Sequence, residues 1–183
     1  MKIISTNIGK KRTLNYKGKI FSTGIYKHPT EQPIFLDIED VQDDDVVDRK
    51  HHGGIDKAVY TYSLQHYKYW KKQYPNLDWN FGMFGENLTI DGLDETKIYV
   101  GDTFKVGNAI IEVTKPRQPC YKLGIRFNDN QMVKKFWNTT MCGVYFKVLQ
   151  IGRVKKGDSF KSLKICDNNP TIAEIYLGKR KSL

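Results

Sequence analysis

Thr103-Phe104-Lys105-Val106-Gly107-Asn108-Ala109-Ile110-Ile111-Glu112-Val113-Thr114 decides the fold class. Runs of β-branched and aromatic residues stand on both sides of Gly107-Asn108, and a Gly-Asn pair between two such runs is the composition of a tight hairpin turn. Two antiparallel strands are therefore expected, over 103–106 and 110–114. The same composition recurs outward in both directions. It marks strands at 2–6, 19–26, 57–62, 87–90 and 98–100, with a further run over 143–154.

Helical signals are few. Ser63 is a candidate N-cap, Leu64, Tyr67, Trp70 and Tyr74 follow at helical spacing, and Pro75 closes the segment. A short helix is expected over 132–137, after a loop from Lys115 to Gly124. Thr171-Ile172-Ala173-Glu174 has capping-box spacing, so a last helix should start at Ile172. Gly-Asp-Thr/Ser-Phe-Lys occurs at 101–105 and again at 157–161, which reads as one turn-into-strand corner used twice or as coincidence. Many strands with few helices give the fold class: mostly β with α, a largely antiparallel β-barrel with peripheral helices. The expected division is 1–166 as the barrel domain and 167–183 as a C-terminal tail carrying the short helix.

The chain has 183 residues with 39% hydrophobic and 13% aromatic content, enough for one packed core. No run is long and apolar enough for a membrane span, and residues 1–7 do not read as a signal peptide, so a cytoplasmic protein without a membrane partner is expected. Cys120, Cys142 and Cys166 lack CxxC spacing and read as free thiols. A net charge of +10 would attract nucleic acid or phosphorylated ligands, yet lysine dominates it and no RNP-like or helix-turn-helix signature is present. Solvated surface lysine is the plainer reading.

Two segments carry the chemistry. In Lys115-Pro116-Arg117-Gln118-Pro119-Cys120-Tyr121-Lys122-Leu123-Gly124, prolines stiffen the backbone and three cations stand within five positions of Cys120. Cations favour the thiolate, the form that attacks electrophiles and binds soft metals. A structural cysteine packed under a loop is the alternative reading. Cys142 reads as core, and Cys166 as part of a polar tail without partner residues. In Asp48-Arg49-Lys50-His51-His52-Gly53-Gly54-Ile55-Asp56-Lys57 the glycine pair lets backbone N–H groups approach an anion. Zinc fits this segment poorly, because adjacent histidines diverge and no further ligands complete a set.

Taken in order, Gly24-Ile25-Tyr26-Lys27, Asp48-Arg49, His52-Gly53-Gly54-Ile55-Asp56-Lys57-Ala58-Val59-Tyr60, Gly85-Glu86-Asn87-Leu88 and Pro116-Arg117-Gln118-Pro119-Cys120-Tyr121-Lys122-Leu123 resemble the MOSC domain. That domain takes its name from the C-terminal domain of molybdenum-cofactor sulfurase. The likeness spans nearly the whole chain and runs to the small bacterial stand-alone members that reduce hydroxylaminopurine. The resemblance implies a β-barrel that binds the molybdenum cofactor (molybdopterin), with Cys120 as protein ligand to molybdenum. It places Lys27, Arg49 and Asn87 at cofactor contacts, with Arg117 a weaker carry-over. The block His52, Gly53, Gly54, Asp56 and Lys57 forms the cofactor loop, where His52 either contacts the group or braces the turn.

The implied activity is reduction of an N-hydroxylated base or related N-hydroxylated compound. No iron–sulfur cysteine run is present, so electrons are expected from a separate flavin or iron–sulfur donor protein. The alternatives are a sulfur-carrier or cofactor-delivery module working through Cys120, and a nucleic-acid-binding barrel. Longer members of the family continue past the Thr171 segment into a three-helix extension. The apolar edge of Ile172, Ile175 and Tyr176 is therefore expected to pack on the barrel or across a two-fold homodimer.

Overall fold

The hairpin forms as its composition dictates. In a computed structural model, which describes residues 1–47 and 49–180, β8 (Thr103–Val106) and β9 (Ala109–Pro116) pair antiparallel, with Thr103 opposite Glu112 and Val106 opposite Ala109. Gly107 takes φ +53° at the turn, where a Cβ would stand 2.4 Å from the Arg153 carbonyl oxygen. No other residue fits there without moving backbone.

The strands before the hairpin are β1 (Lys2–Gly9), β2 (Arg12–Tyr16), β3 (Lys19–Thr23), β4 (Lys27–Thr30), β5 (Ile34–Leu36), β6 (Val59–Ser63) and β7 (Leu88–Asp91). After it come β10 (Val144–Gln150), β11 (Gly152–Val154) and β12 (Lys161–Lys164). The helices are α1 (Arg49–His52), α2 (Leu64–Gln73), α3 (Tyr121–Arg126), α4 (Met132–Trp137) and α5 (Ile172–Arg180), with a 3-10 turn over Ile55–Lys57. One eight-stranded sheet runs β12-β8-β9-β10-β6-β7-β1-β4, antiparallel except for the parallel pair β6 and β7. Two ribbons, β2-β3 and β5-β11, flank it. The sheet is an open, curled half-barrel. Ile3 N–H donates to Asp158 O at 2.9 Å, Gly157 N–H to Ile3 O at 2.9 Å and Phe160 N–H to Met1 O at 3.0 Å, which draws the approach to β12 toward β1.

β6 is buried along its whole length, because it lies in the middle of the sheet with α2 and α4 stacked over it. Tyr67 and Trp70 of α2 reach Phe84 and Phe136, and Trp70 stacks on Phe136 at 6.0 Å and 12°. The aromatic stripe is therefore core, as its spacing implies. Ser63 stands at the helix start, but its hydroxyl goes to the Leu93 carbonyl at 2.8 Å and does not cap.

The repeated pentapeptide is one corner used twice. Asp102 N–H donates to Tyr99 O and accepts from Tyr99 N–H at its carboxylate; Asp158 treats Lys155 the same way. Gly101 and Gly157 take φ +90° and +95°, and the two corners feed the neighbouring strands β8 and β12.

Four expectations are corrected. Residues 98–100 form no strand, only a bridge from Tyr99 to Thr171. The segment 19–26 ends at Thr23 because the chain then presses against another turn: a Cβ on Gly24 would lie 1.8 Å from the Asp45 carbonyl oxygen. The loop of 115–124 is instead the end of β9 followed by α3, a helix too short to show periodicity and set by the burial of Leu123 and Phe127. The run 143–154 is split, since Gly152 packs against Asn108 and Ala109 and sends β11 to pair with β5.

α5 begins with the expected capping box, Glu174 N–H to Thr171 Oγ1 at 3.2 Å and Thr171 N–H to Glu174 Oε2 at 2.8 Å. It docks on the barrel within the chain, with Ile172 and Tyr176 fully buried and Tyr176 stacked on Trp137 at 4.6 Å. The edge needs no second copy to cover it. Residues 181–183 and Asp48 lie outside the described residues. No helix among those described is long and apolar enough to cross a membrane.

Candidate functional site

Three separated segments meet at one open cleft. The end of β3, the turn after it and β4 supply Thr23, Gly24, Ile25 and Lys27; the segment from His52 to Tyr60 supplies one wall; the link from β9 to α3 and the start of α3 supply Arg117, Cys120 and Lys122. Gly85, Asn87 and Tyr145 close it. The two prolines hold Cys120 in an extended conformation (φ −121°, ψ 169°) just before α3. It is half-buried, with its neighbour Tyr121 on the surface.

Arg117 is the most deeply placed cation of the cleft. Its guanidinium lies 5.1 Å from the centre of the Tyr60 ring and 5.8 Å from that of Phe136, an arrangement that shields charge without neutralising it. Burial opposes its charge, yet Tyr60, Tyr145 and Cys120 more than offset this and hold its pKa above the usual value. Among the described residues no carboxylate pairs with it, and its Nη1 is buried without a hydrogen-bond partner. Burial pushes the neighbouring phenols of Tyr60 and Tyr145 up, and Tyr60 donates its proton to the Cys142 carbonyl at 2.9 Å. A buried polar atom left unpaired costs about 1–3 kcal/mol, so Arg117 Nη1 marks a place where an anionic or acceptor group belongs.

Lys27 and Asn87 are in the cleft but are tied together from behind. Asp44 bonds Lys27 through Oδ2, accepts from Asn87 Nδ2 at 3.0 Å, and accepts from Gly9 N–H at 2.7 Å through Oδ1. Asn87 in turn accepts from Tyr60 N–H at 3.2 Å. Lys27, Asp44 and Asn87 are all buried, so this network is part of the framework as well as a wall of the site. Asp44 was legible only as one residue of an acidic turn.

The remaining expected site residues divide. His52 and Lys57 line the cleft. Arg49 does not: its guanidinium is half-exposed and paired with Asp40 at 2.6 Å and Glu39 at 2.7 Å. Asp56 does not line it either and is paired with Lys115 at 2.9 Å, which holds its carboxyl below the usual carboxylate range. Its carbonyl accepts from Thr114 Oγ1 at 2.6 Å, so Asp56 fastens the loop to β9. Gly53 and Gly54 shape that loop without lining the cleft. Gly54 takes φ +88°, and a Cβ on Gly53 would stand 3.1 Å from Val46.

The other thiols are placed differently. Cys142 is fully buried in the core, and burial pushes its thiol up. Cys166 is half-buried with its N–H bonded to Asp102 Oδ1 at 2.8 Å, a partner that sequence reading did not give it. Among the described residues no three His, Cys, Asp or Glu side chains gather to hold a metal. A metal at Cys120 would need its other ligands from a cofactor. A soft thiol beside an unneutralised cation fits a group that brings both sulfur ligands and anionic charge.

Residues 48–161 match the MOSC domain model. The protein YflK of Bacillus subtilis is 40% identical over 88% of this chain and 72% of its own length. A protein named a reductase from Gibberella moniliformis is 31% identical over 80% of this chain and 27% of its own. The crystal structure of YiiM from Geobacillus stearothermophilus superposes with a TM-score of 0.81 at 29% identity, covering 99% of this chain and 84% of that one. The chain belongs to the MOSC domain family, in its stand-alone bacterial branch.

Proposed function

We propose, from that membership, that the chain is a molybdenum-cofactor-dependent oxidoreductase that reduces N-hydroxylated bases or related N-hydroxylated compounds. The observation that carries this reading is the pairing, in one cleft, of the thiol of Cys120 with the buried, unneutralised guanidinium of Arg117. Cys120 would supply the protein's sulfur to molybdenum. Arg117, Lys27, Asn87, His52 and Lys57 would hold the anionic and hydrogen-bonding parts of the pterin, while Gly53, Gly54 and Asp56 keep the loop in shape.

When bound, the cofactor supplies a two-electron centre that can cleave an N–O bond. The balance is R–NHOH plus two electrons and two protons, giving R–NH2 and water. The electrons come from a separate flavin or iron–sulfur protein. The chain's own part is to fix the thiol through the Pro116 to Pro119 segment and to keep a cation beside it. Tyr145, raised by burial, remains a neutral donor at the wall, while Tyr60 gives its proton to the Cys142 carbonyl.

Protein made in a host that synthesises the cofactor should carry molybdenum and pterin fluorescence, and should reduce a hydroxylamine substrate with an artificial donor. Cys120→Ser at equal pterin loading should abolish turnover. Retained turnover refutes the assignment of Cys120. Pterin binding without turnover in the wild type would instead favour a cofactor-delivery or sulfur-carrier module.

A further inference from the structure

Beyond Cys120 the site opens into a second cleft of different chemistry. Lys57, Lys115, Lys122 and Lys179 line it together with His52, and no carboxylate occurs among the described residues of its lining. The four lysines come from the 3-10 turn, β9, α3 and α5. Their gathering is a product of the fold: β9 and α3 bring Lys115 and Lys122, the 3-10 turn brings Lys57, and α5 adds Lys179 when it docks. Lys115 also holds Asp56, but the potential in a cleft is the sum over every charged group around it, and low-dielectric walls focus it.

At the same cleft Tyr121 is 58% exposed, and Phe21 packs against its ring edge-on at 5.8 Å. A fixed, open ring is a stacking face for a planar base. Ammonium groups suit phosphate oxygens, to which they give charge-assisted hydrogen bonds. Cys120, Tyr145, His52, Lys57 and Lys122 border both clefts, so a ligand in the second reaches the thiol.

We propose that the second cleft admits the substrate and selects its phosphorylated form, an N-hydroxylated nucleoside phosphate. The base stands at Tyr121 and Cys120, and the phosphate lies among Lys115, Lys122 and Lys179. This rests on the reductase reading given above. It extends that reading from a base to a nucleotide, and gives α5 a part in substrate choice through Lys179.

The first test is calorimetric binding of adenosine 5′-monophosphate and adenosine to the full chain, with and without cofactor. The nucleotide should bind at least about tenfold more tightly, the yield of one or two hydrogen bonds to a charged group. The advantage should shrink steeply in about 0.5 M salt, where screening is short-ranged. Lys179→Glu, near the end of α5, should remove the advantage while adenosine affinity and melting temperature hold. Equal affinities in the wild type, or an unchanged advantage in Lys179→Glu, overturn the proposal. Discrimination that disappears once cofactor is loaded assigns the lysines to the cofactor's own phosphate and also overturns it.

Turnover then separates the two readings. N-hydroxyadenine and its nucleotide reduced with equal kcat/KM would overturn the cleft's role and leave the reductase standing. Phosphate-selective binding by loaded protein that reduces neither would keep the cleft and overturn the reductase.

Discussion

Asp44→Asn tests the framework behind the cleft. Asp44 is buried and holds three groups at once: the Lys27 ammonium, the Asn87 amide and the Gly9 N–H. An amide in its place has one acceptor oxygen for three donors and leaves the ammonium of buried Lys27 without a counter-charge. Breaking a buried pair from one side costs about 3–5 kcal/mol, far more than an exposed pair. Lys27→Met removes the cation instead, but Asp44 keeps two donors, so the loss should be smaller, about 2–3 kcal/mol. The double variant Lys27→Met/Asp44→Asn should recover part of the sum, because the two changes remove one interaction between them. Urea denaturation of the wild type, both singles and the double gives the cycle directly. Additive losses, or an Asp44→Asn loss under about 1 kcal/mol, would refute the reading of Lys27 and Asp44 as a buried pair. The result also bears on what removing Lys27 does to cofactor retention and to stability. The network predicts that both fall together, whereas Arg49→Ala, in an exposed pair, should change stability by at most about 1 kcal/mol.

Three further outcomes follow from the geometry. Cys142→Ser should lower the melting temperature by placing a hydroxyl in the core, and Cys166→Ser should change little; both should keep activity, unlike Cys120→Ser, when assayed at equal cofactor loading. Asp129 is held to about 2 by Lys135, Tyr74 and the Gln131 N–H, below its ordinary 3.8. A depressed carboxylate stabilises the fold above its unfolded pKa and loses that contribution as pH falls through its folded value. Asp129→Asn should therefore flatten the acid limb of stability between pH 3.8 and about 2, by at most about 1 kcal/mol for so exposed a pair; an unchanged limb would contradict the pairing. Deleting residues from 169 onward should strip Ile172 and Tyr176 from the core and lower stability by several kcal/mol, about 2–5 for each large buried side chain lost. Hydrogen exchange should show protection over 173–177, and free-peptide exchange there would mean that α5 does not dock.

Much of the fold was legible because its signals are local. The hairpin at Gly107-Asn108, the helix after Ser63, the helix over 132–137 and the Thr171 capping box each state their structure within a dozen residues. What failed locally was decided at a distance. The end of β3 depends on Asp45 lying against Gly24, and the break between β10 and β11 depends on Gly152 meeting the hairpin turn. Residues 98–100 have strand composition, but only Thr171 is at hand to pair with Tyr99. Composition supplies the tendency to extend, and a partner strand decides whether the tendency is used.

The site divides along the same line. Cys120 and the segment around it announce themselves through proline, cation and thiol in one short run. Which cation faces the cleft does not follow from the run, because Arg49 and Arg117 both stand near a motif and only packing separates them. Arg49 has Glu39 and Asp40 within ten residues and spends its charge on them. Arg117 sits among Tyr60, Tyr145 and Phe136, which surround a guanidinium without supplying an acid. A cation near acidic sequence is apt to be neutralised locally, whereas one set among aromatics and buried must find its anion in a ligand. That difference makes Arg117→Met more informative than Arg49→Ala. Removing a buried charge that no carboxylate among the described residues balances should leave stability close to that of the wild type or raise it, while cofactor retention falls. A large loss of stability without a loss of retention would mean that the guanidinium serves the aromatic core and not the cleft.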